Sequence, residues 1–349
     1  MRTEHRLEAV GPAERVLDRA ATAVAHPNIA LIKYWGKRDE RLMIPYVDSL
    51  SMTLDIFPTT TTVRLCPDAA ADSVTLDGAP ARGEVGQRVV AFLDLVRQLA
   101  GRTEPATVDT RNAVPTGAGL ASSASGFAAL ALAAAAAYGL DLDPTALSRL
   151  ARRGSVSAAR SIFGDFAICH AGGGTGAEAD LASYAEPVPV PDFDPALVIA
   201  VVNAGPKAVS SRGGMRRTVE TSPLYAAWAT SSKADLTEMR AALARSDLDA
   251  VGEIAERNAL GMHATMLAAR PAVRYMSPPT VAVLDAVLRL RADGVPAYAT
   301  MDAGPNVKVL CHPADAERVA ATLGAAAPGS SVVTARRGPA ARLWTEAER

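Results

Sequence analysis

Pro115-Thr116-Gly117-Ala118-Gly119-Leu120-Ala121-Ser122-Ser123-Ala124-Ser125-Gly126 stands between a short β-branched stretch, Val108 to Asn112, and an alanine-rich run that stops at Tyr138-Gly139. A strand, a glycine loop and a helix in that order make an anion site. Glycine lets backbone approach a phosphate closely, and the unpaired N–H groups of the first helical turn point at it. Ala121, Ser122 and Ser123 are small enough to leave room for a triphosphate, and the hydroxyls can bind phosphate oxygens or a magnesium ion. No Lys-Ser/Thr pair follows the glycines, so this is not a Walker A loop. The glycine spacing also excludes a dinucleotide fingerprint. On the residues alone, a tight turn feeding a close-packed helix stays open beside the phosphate reading.

Working outward, Thr22 to Ala25, Ser49 to Ile56, Thr59 to Leu65 and Val74 to Leu76 read as strands. Val85 to Ala100 has helical periodicity, and Asp143-Pro144 starts another helix ending near Arg153. The apolar run from Asp194 to Asn203 predicts a central strand. Leu236 to Ala244, Leu248 to Leu267 and Pro279 to Ala292 read as helices. Ala297 to Met301 and Val307 to Cys311 read as strands around the turn Asp302-Ala303-Gly304-Pro305-Asn306. Proline-rich Pro187 to Pro195 is the best boundary, giving a mobile extension over 1–20, one domain over 21–190 and another over 191–349.

The chain of 349 residues is 49% hydrophobic and 21% charged, the composition of a globular protein with a large core. A formal net charge of −1 gives no footprint for nucleic acid or an acidic membrane. The longest apolar stretch, Phe127 to Tyr138, is too short to span a bilayer, and Met1 to Ala20 lacks an apolar export core. Cys66, Cys169 and Cys311 are dispersed, which predicts free thiols and a cytoplasmic protein. Basic residues cluster at Lys33/Lys37/Arg38, Arg152/Arg153/Arg160 and Arg212/Arg216/Arg217, each beside glycine or serine. Each cluster alone reads first as a solvated surface; their recurrence favours a small anionic ligand.

The Pro115–Gly126 loop resembles the central motif of the GHMP kinase superfamily. Ala25-His26-Pro27-Asn28-Ile29-Ala30-Leu31-Ile32-Lys33-Tyr34-Trp35-Gly36-Lys37-Arg38-Asp39 is similar to the N-terminal signature of diphosphomevalonate decarboxylases. Gly154-Ser155 through Phe163-Gly164 and Thr300-Met301-Asp302-Ala303-Gly304-Pro305-Asn306 match in the same order, so the resemblance runs from about Val24 to Leu323. It implies an α+β, two-lobed GHMP kinase-like sandwich with a cleft between an N-terminal ATP-binding half and a C-terminal half. It further implies ATP and Mg2+, and a homodimer. The substrate would be a small phosphorylated 3-hydroxy acid, with no nucleic acid or membrane partner.

The implied reaction is ATP-dependent decarboxylation of (R)-5-diphosphomevalonate to isopentenyl diphosphate through a 3-phosphate. Asp302 would orient and deprotonate the tertiary hydroxyl, Lys33 would keep Asp302 ionised, and Arg160 and Asn28 would hold the departing carboxylate. Pro115, Gly117, Gly119, Leu120, Ala121, Ser122 and Ser123 would cradle ATP, with Ser122 and Ser123 toward magnesium. Tyr34, Lys37, Ser155, Val156, Ser157, Ser211, Arg212, Met215 and Ala303 would line the substrate site.

Four places depart from the family pattern, one of them Ala159, which stands where cysteine or serine is frequent. Val156 stands where glycine is usual and would crowd a diphosphate. Asp165 stands where a second glycine is usual, and Val47-Asp48 replaces a polar pair. These keep open a relative acting on 5-phosphomevalonate, mevalonate or another 3-hydroxy acid. A non-catalytic nucleotide-binding regulator is a third reading, opposed by the retained Lys33, Arg160 and Asp302.

Overall fold

The computed structural model describes residues 19–113, 122–190, 192–202 and 209–344. Alternation sets the first layer: in the Thr59–Leu65 strand, Thr59, Thr61, Val63 and Leu65 are buried while the residues between them face outward. This strand sits inside a sheet ordered Arg342–Leu343, Ala20–Ala25, Thr59–Leu65, Ala106–Asn112, Ser73–Leu76, Ala79–Pro80. Its inner face carries the helix Ser122–Tyr138, whose alanines are buried nearly all round. Alanine lets sheet and helix backbones approach closely, and the helices Gly83–Ala100 and Pro144–Gly154 close over the other side. Gly139 ends the alanine helix at φ 78°, as a left-handed stop requires. Asp143 caps the next helix by accepting from the Ala146 N–H at 2.8 Å.

A second, antiparallel sheet runs Ala185–Pro187, Phe166–Cys169, Ser49–Thr53, Asn28–Ile32. The Asn28–Ile32 segment, quoted above only as part of the family signature, is thus a buried strand. Its Ile29, Leu31 and Ile32 have an apolar partner on both sides. A third sheet runs Ala297–Met301, Val307–Cys311, Ala196–Val201, Ser331–Ala335, and the predicted central strand is interior to it. The helices Pro278–Ala292 and Ala316–Ala326 cover its outer face.

The helix Leu248–Leu267 packs against both the Asn28–Ile32 and the Ala297–Met301 strands. That contact brings the ends of two distant sequence motifs together. One apolar core accordingly joins Ile29, Leu50 and Phe166 to Leu197, Ile199 and Leu310. The two expected halves are recognisable, but the chain does not keep to them. Leu54 bridges to Arg337, and Arg342–Leu343 pairs with Ala20–Ala25, so the last described residues return to the first sheet. A Cβ on Gly338 would collide with the Leu54 carbonyl, which fixes glycine at the crossing. Ordered strand begins at Ala20, and the rest of the expected extension, residues 1–18, lies outside the described residues.

Candidate active site

Between the second and third sheets lies a cleft of about 220 Å³ lined from both halves of the chain. Asp302 follows directly on the Ala297–Met301 strand, in a turn closed by the Gly304 N–H donating to its carbonyl at 2.7 Å. Lys33 follows directly on the Asn28–Ile32 strand and donates to Asp302 Oδ1 at 2.9 Å and to the Ala30 carbonyl at 2.7 Å. The Lys33 backbone is pinned by Asn258 of the bridging helix, whose Oδ1 accepts its N–H at 2.8 Å. A second lysine, Lys308, lies 3.1 Å from Oδ2 of the same carboxylate.

Burial pushes the Asp302 carboxyl up, but Lys308 and Lys33 outweigh it and hold the group well below the usual carboxylate range. Burial lowers Lys33 to about 8, against the pull of Asp302. His263 donates from Nε2 to the Asp302 carbonyl at 3.1 Å; burial and the Lys33 charge bring it down to about 4, so its ring is neutral at pH 7.

Arg160 is held in the 3₁₀-helix Val156–Ile162. Its Nε donates to Ser51 Oγ at 2.9 Å, Nη1 to Ser49 Oγ, and Nη2 to Asn28 Oδ1 at 3.4 Å. The guanidinium is 2% exposed and makes no ion pair with a carboxylate among the described residues. A buried cation so placed calls for an anionic ligand. Asn28 is fixed in turn by donating to the Ser157 carbonyl at 3.0 Å and to Ser161 Oγ at 2.8 Å. Ser157 and Arg160 face the cleft together, since a 3₁₀ turn stacks positions three apart.

At the other end, Tyr34 Oη is buried with no hydrogen-bond partner among the described residues. Lys37 pairs with Glu40. Gly36 between them has φ 99°, and a Cβ there would strike the Tyr225 hydroxyl, which itself donates to the Trp35 carbonyl at 2.7 Å. Arg212, left as a possible surface-loop arginine by sequence, lies in the first turn of the helix Ser211–Thr221. It meets Glu84 at 2.9 Å across the cleft mouth.

Two family models match: the diphosphomevalonate decarboxylase-like N-terminal domain over residues 25–184, and the mevalonate 5-diphosphate decarboxylase C-terminal domain over residues 197–343. The chain belongs to the diphosphomevalonate decarboxylase family. Among curated relatives, the diphosphomevalonate decarboxylase of Aspergillus fumigatus is 38% identical over 87% of this chain and 79% of its own. The phosphomevalonate decarboxylase of Haloferax volcanii is 35% identical, covering 83% of this chain and 87% of its own. A solved structure of MDDEF in complex with MVAPP, AMPPCP and magnesium superposes with a TM-score of 0.89. It is 44% identical and covers 94% of this chain and 99% of that one.

Against the family expectation, Asn28, Lys33, Tyr34, Lys37, Ser123, Ser155, Val156, Ser157, Arg160, Ser211, Arg212, Met215, Asp302 and Ala303 all line this one cleft. Pro115, Gly117, Gly119, Leu120 and Ala121 lie outside the described residues, as does the Ser122 side chain. Asp165 does not face the site, so its departure from the family glycine puts no charge there. Its carboxylate lies 3.6 Å from Arg337 Nε, on a surface-exposed turn at φ 52°. Asp48 accepts from the Ala171 N–H at 2.7 Å and is structural. The Val156 side chain packs with Ala159, Cys169 and Ala185 while bordering the cleft.

The basic clusters divide. Arg152 is fully buried against Asp180 and the Ser183 carbonyl, and Arg38 caps the carbonyls of Gly172 and Gly174, so both are structural.

Sequence reasoning for this decarboxylase family missed Lys308, Arg88, Asn258 and His263. A lone lysine in the apolar run Val307–Cys311 was the available signal for the first. Arg88 stacks over Phe127 at 4.9 Å and donates to the Gly154 carbonyl at 3.0 Å while lining the cleft. Nothing in its helix distinguishes it from a solvated arginine.

Proposed function

We propose that this chain uses ATP to phosphorylate the 3-hydroxyl of (R)-5-diphosphomevalonate, then releases phosphate and carbon dioxide to give isopentenyl diphosphate. The observation that carries the reading is the meeting in one cleft of an ionised Asp302, bracketed by lysines, with an Arg160 that has no carboxylate partner among the described residues.

A tertiary alcohol is a weak nucleophile and hydroxide a poor leaving group, and ATP answers the second difficulty. Asp302 takes the hydroxyl proton as the oxygen bonds to the terminal phosphorus of ATP and the bond to ADP breaks. A loose transition state of this kind asks for positioning and charge neutralisation more than for a strong base, which suits a weakly basic Asp302. The carbon–oxygen bond then breaks with loss of phosphate. The carbon–carbon bonding pair becomes the alkene as carbon dioxide leaves. Arg160, fixed by Ser49, Ser51 and Asn28, aligns that bond by gripping the carboxylate. Tyr34, Lys37, Ser155 and Ser157 take the diphosphate end of the substrate, with Arg212 and Ser211 beside them on its terminal phosphates.

Among the described residues no cluster of three or more His, Cys, Asp or Glu could hold a metal ion. That fits magnesium arriving with the triphosphate, since magnesium is bound by few protein groups plus phosphates and water. Ser122 and Ser123 are the groups to hold it, and when bound it neutralises charge on the transferred phosphoryl group. We place the enzyme in the cytoplasm as a homodimer, on its three free cysteines and on the frequency of twofold assemblies. No helix is long and apolar enough to cross a membrane among the described residues.

A second reading, 5-phosphomevalonate as substrate, is favoured by the Haloferax relative and by two details of the cleft. Glu40 already neutralises Lys37, and Val156 borders the anion end. Comparing kcat/KM for mevalonate, its 5-phosphate and its 5-diphosphate, with ADP and carbon dioxide both followed, decides between them. The diphosphate should win by a wide margin. Preference for the monophosphate would install the second reading, and ADP without carbon dioxide from every form would reduce the enzyme to a kinase.

A further inference from the structure

The Ala297–Met301 and Val307–Cys311 strands form a hairpin in which Lys308 lies opposite Thr300, two residues before Asp302. Its neighbours on the strand are Val307, Val309, Leu310 and Cys311, every one buried. An ammonium carried on so apolar a strand costs several kcal/mol of desolvation unless it is paired. The Lys308 side chain is 2% exposed and is not among the groups lining the cleft. Its Nζ reaches Asp302 Oδ2 at 3.1 Å and the Asn306 carbonyl at 3.4 Å. Lys33 meanwhile holds Oδ1 from the other half of the molecule. The two carboxylate oxygens are therefore fixed separately, by one ammonium just beyond a strand of the second sheet and one on a strand of the third.

We propose that Lys308 is a positioning residue for the phosphoryl-transfer step: it clamps Asp302 Oδ2 from behind, so that the carboxylate keeps one edge turned to the substrate hydroxyl. Lys308 does not touch the substrate; everything it does passes through Asp302. A carboxylate offers about four lone-pair directions, so two lysine contacts leave room for a third hydrogen bond on the cleft side. Asp302 is 34% exposed there. Lys33 cannot do this work alone, because one contact to Oδ1 leaves the group free to turn about its own axis.

The charged groups facing Asp302 are Lys33 after its strand, Lys308 on the adjacent strand and Arg160 from the 3₁₀-helix; neutral His263 from the bridging helix meets its carbonyl. Desolvation pushes Asp302 toward its protonated form, and Lys308 is the strongest opposing charge. Removing that charge raises the carboxyl. Because the reaction needs the ionised form, activity is then lost as pH falls through the raised value, where the wild type stays flat.

The inference rests on the decarboxylase reading, so ADP and carbon dioxide are both followed in the wild type and in three full-length variants. Lys308→Met, close in shape and uncharged, should lower kcat by about 100-fold with KM for either substrate unchanged. An acid limb should enter its pH–rate profile where the wild type has none. Lys308→Gln, which keeps an N–H donor without charge and carries the test if the methionine variant does not fold, should show the same limb. Lys308→Arg should restore a flat acid side to the profile. Wild-type kcat and no acid limb in Lys308→Met or Lys308→Gln overturn this inference alone, as does a raised KM at unchanged kcat. A wild type that makes neither ADP nor carbon dioxide overturns the decarboxylase reading and this one with it.

Discussion

Lys33 and Asp302 lie 269 positions apart in the chain and 2.9 Å apart in space, each directly beyond the end of a buried strand. Asp302→Asn keeps the shape and removes the base, so kcat should fall by about 1,000-fold in a steady-state ADP assay, with ATP binding by calorimetry unchanged. Lys33 sets the other side of the pH profile. Its ammonium is intact below about 8 and is lost as pH rises through that value, so kcat should fall on the alkaline side with an apparent value near 8. A profile flat to pH 9.5 would remove Lys33 from the chemistry. These residues were legible because each stands in a long, ordered motif. Lys308 was not, because a single lysine in a strand carries no motif, and only the hairpin register turns it toward Asp302.

Among elements, the Val156–Ile162 3₁₀-helix does most to shape the anion end, and Gly154 just before it shows how tightly it is packed. A Cβ on Gly154 would run into the Phe127 ring, which also carries Arg88 on its face. Gly154→Ala should therefore cost about 1–3 kcal/mol by overpacking, read as a lower denaturant midpoint at unchanged slope. The helix and strand framework was readable from periodicity, caps and β-branched runs. The 3₁₀ segment was not, since Val156-Ser157-Ala158-Ala159-Arg160 carries no stop signal and owes its tight winding to Arg160 reaching Ser49 and Ser51 on the next sheet. At Asp165 the residue type could not tell which way the carboxylate faces; the φ of 52° and Arg337 turn it outward.

Over the whole molecule, one core runs from Ile29 and Leu50 to Ile199 and Leu310, and the last strand returns to the first sheet. Unfolding should therefore be a single cooperative transition by circular dichroism and by tryptophan fluorescence alike, and deleting residues 336–349 should lower its midpoint. Two separated transitions would contradict a shared core. The Pro187–Pro195 stretch suggested a boundary between two halves, but no local pattern foretells a tail that crosses back. The central claim is that the substrate hydroxyl is phosphorylated before carbon dioxide leaves, and its oxygen labels that event directly. With ¹⁸O in the 3-hydroxyl of the diphosphorylated substrate, mass spectrometry of the products should find the label in inorganic phosphate, one atom per carbon dioxide released. Unlabelled phosphate, with the ¹⁸O in water, would mean that the hydroxyl leaves without ever being phosphorylated.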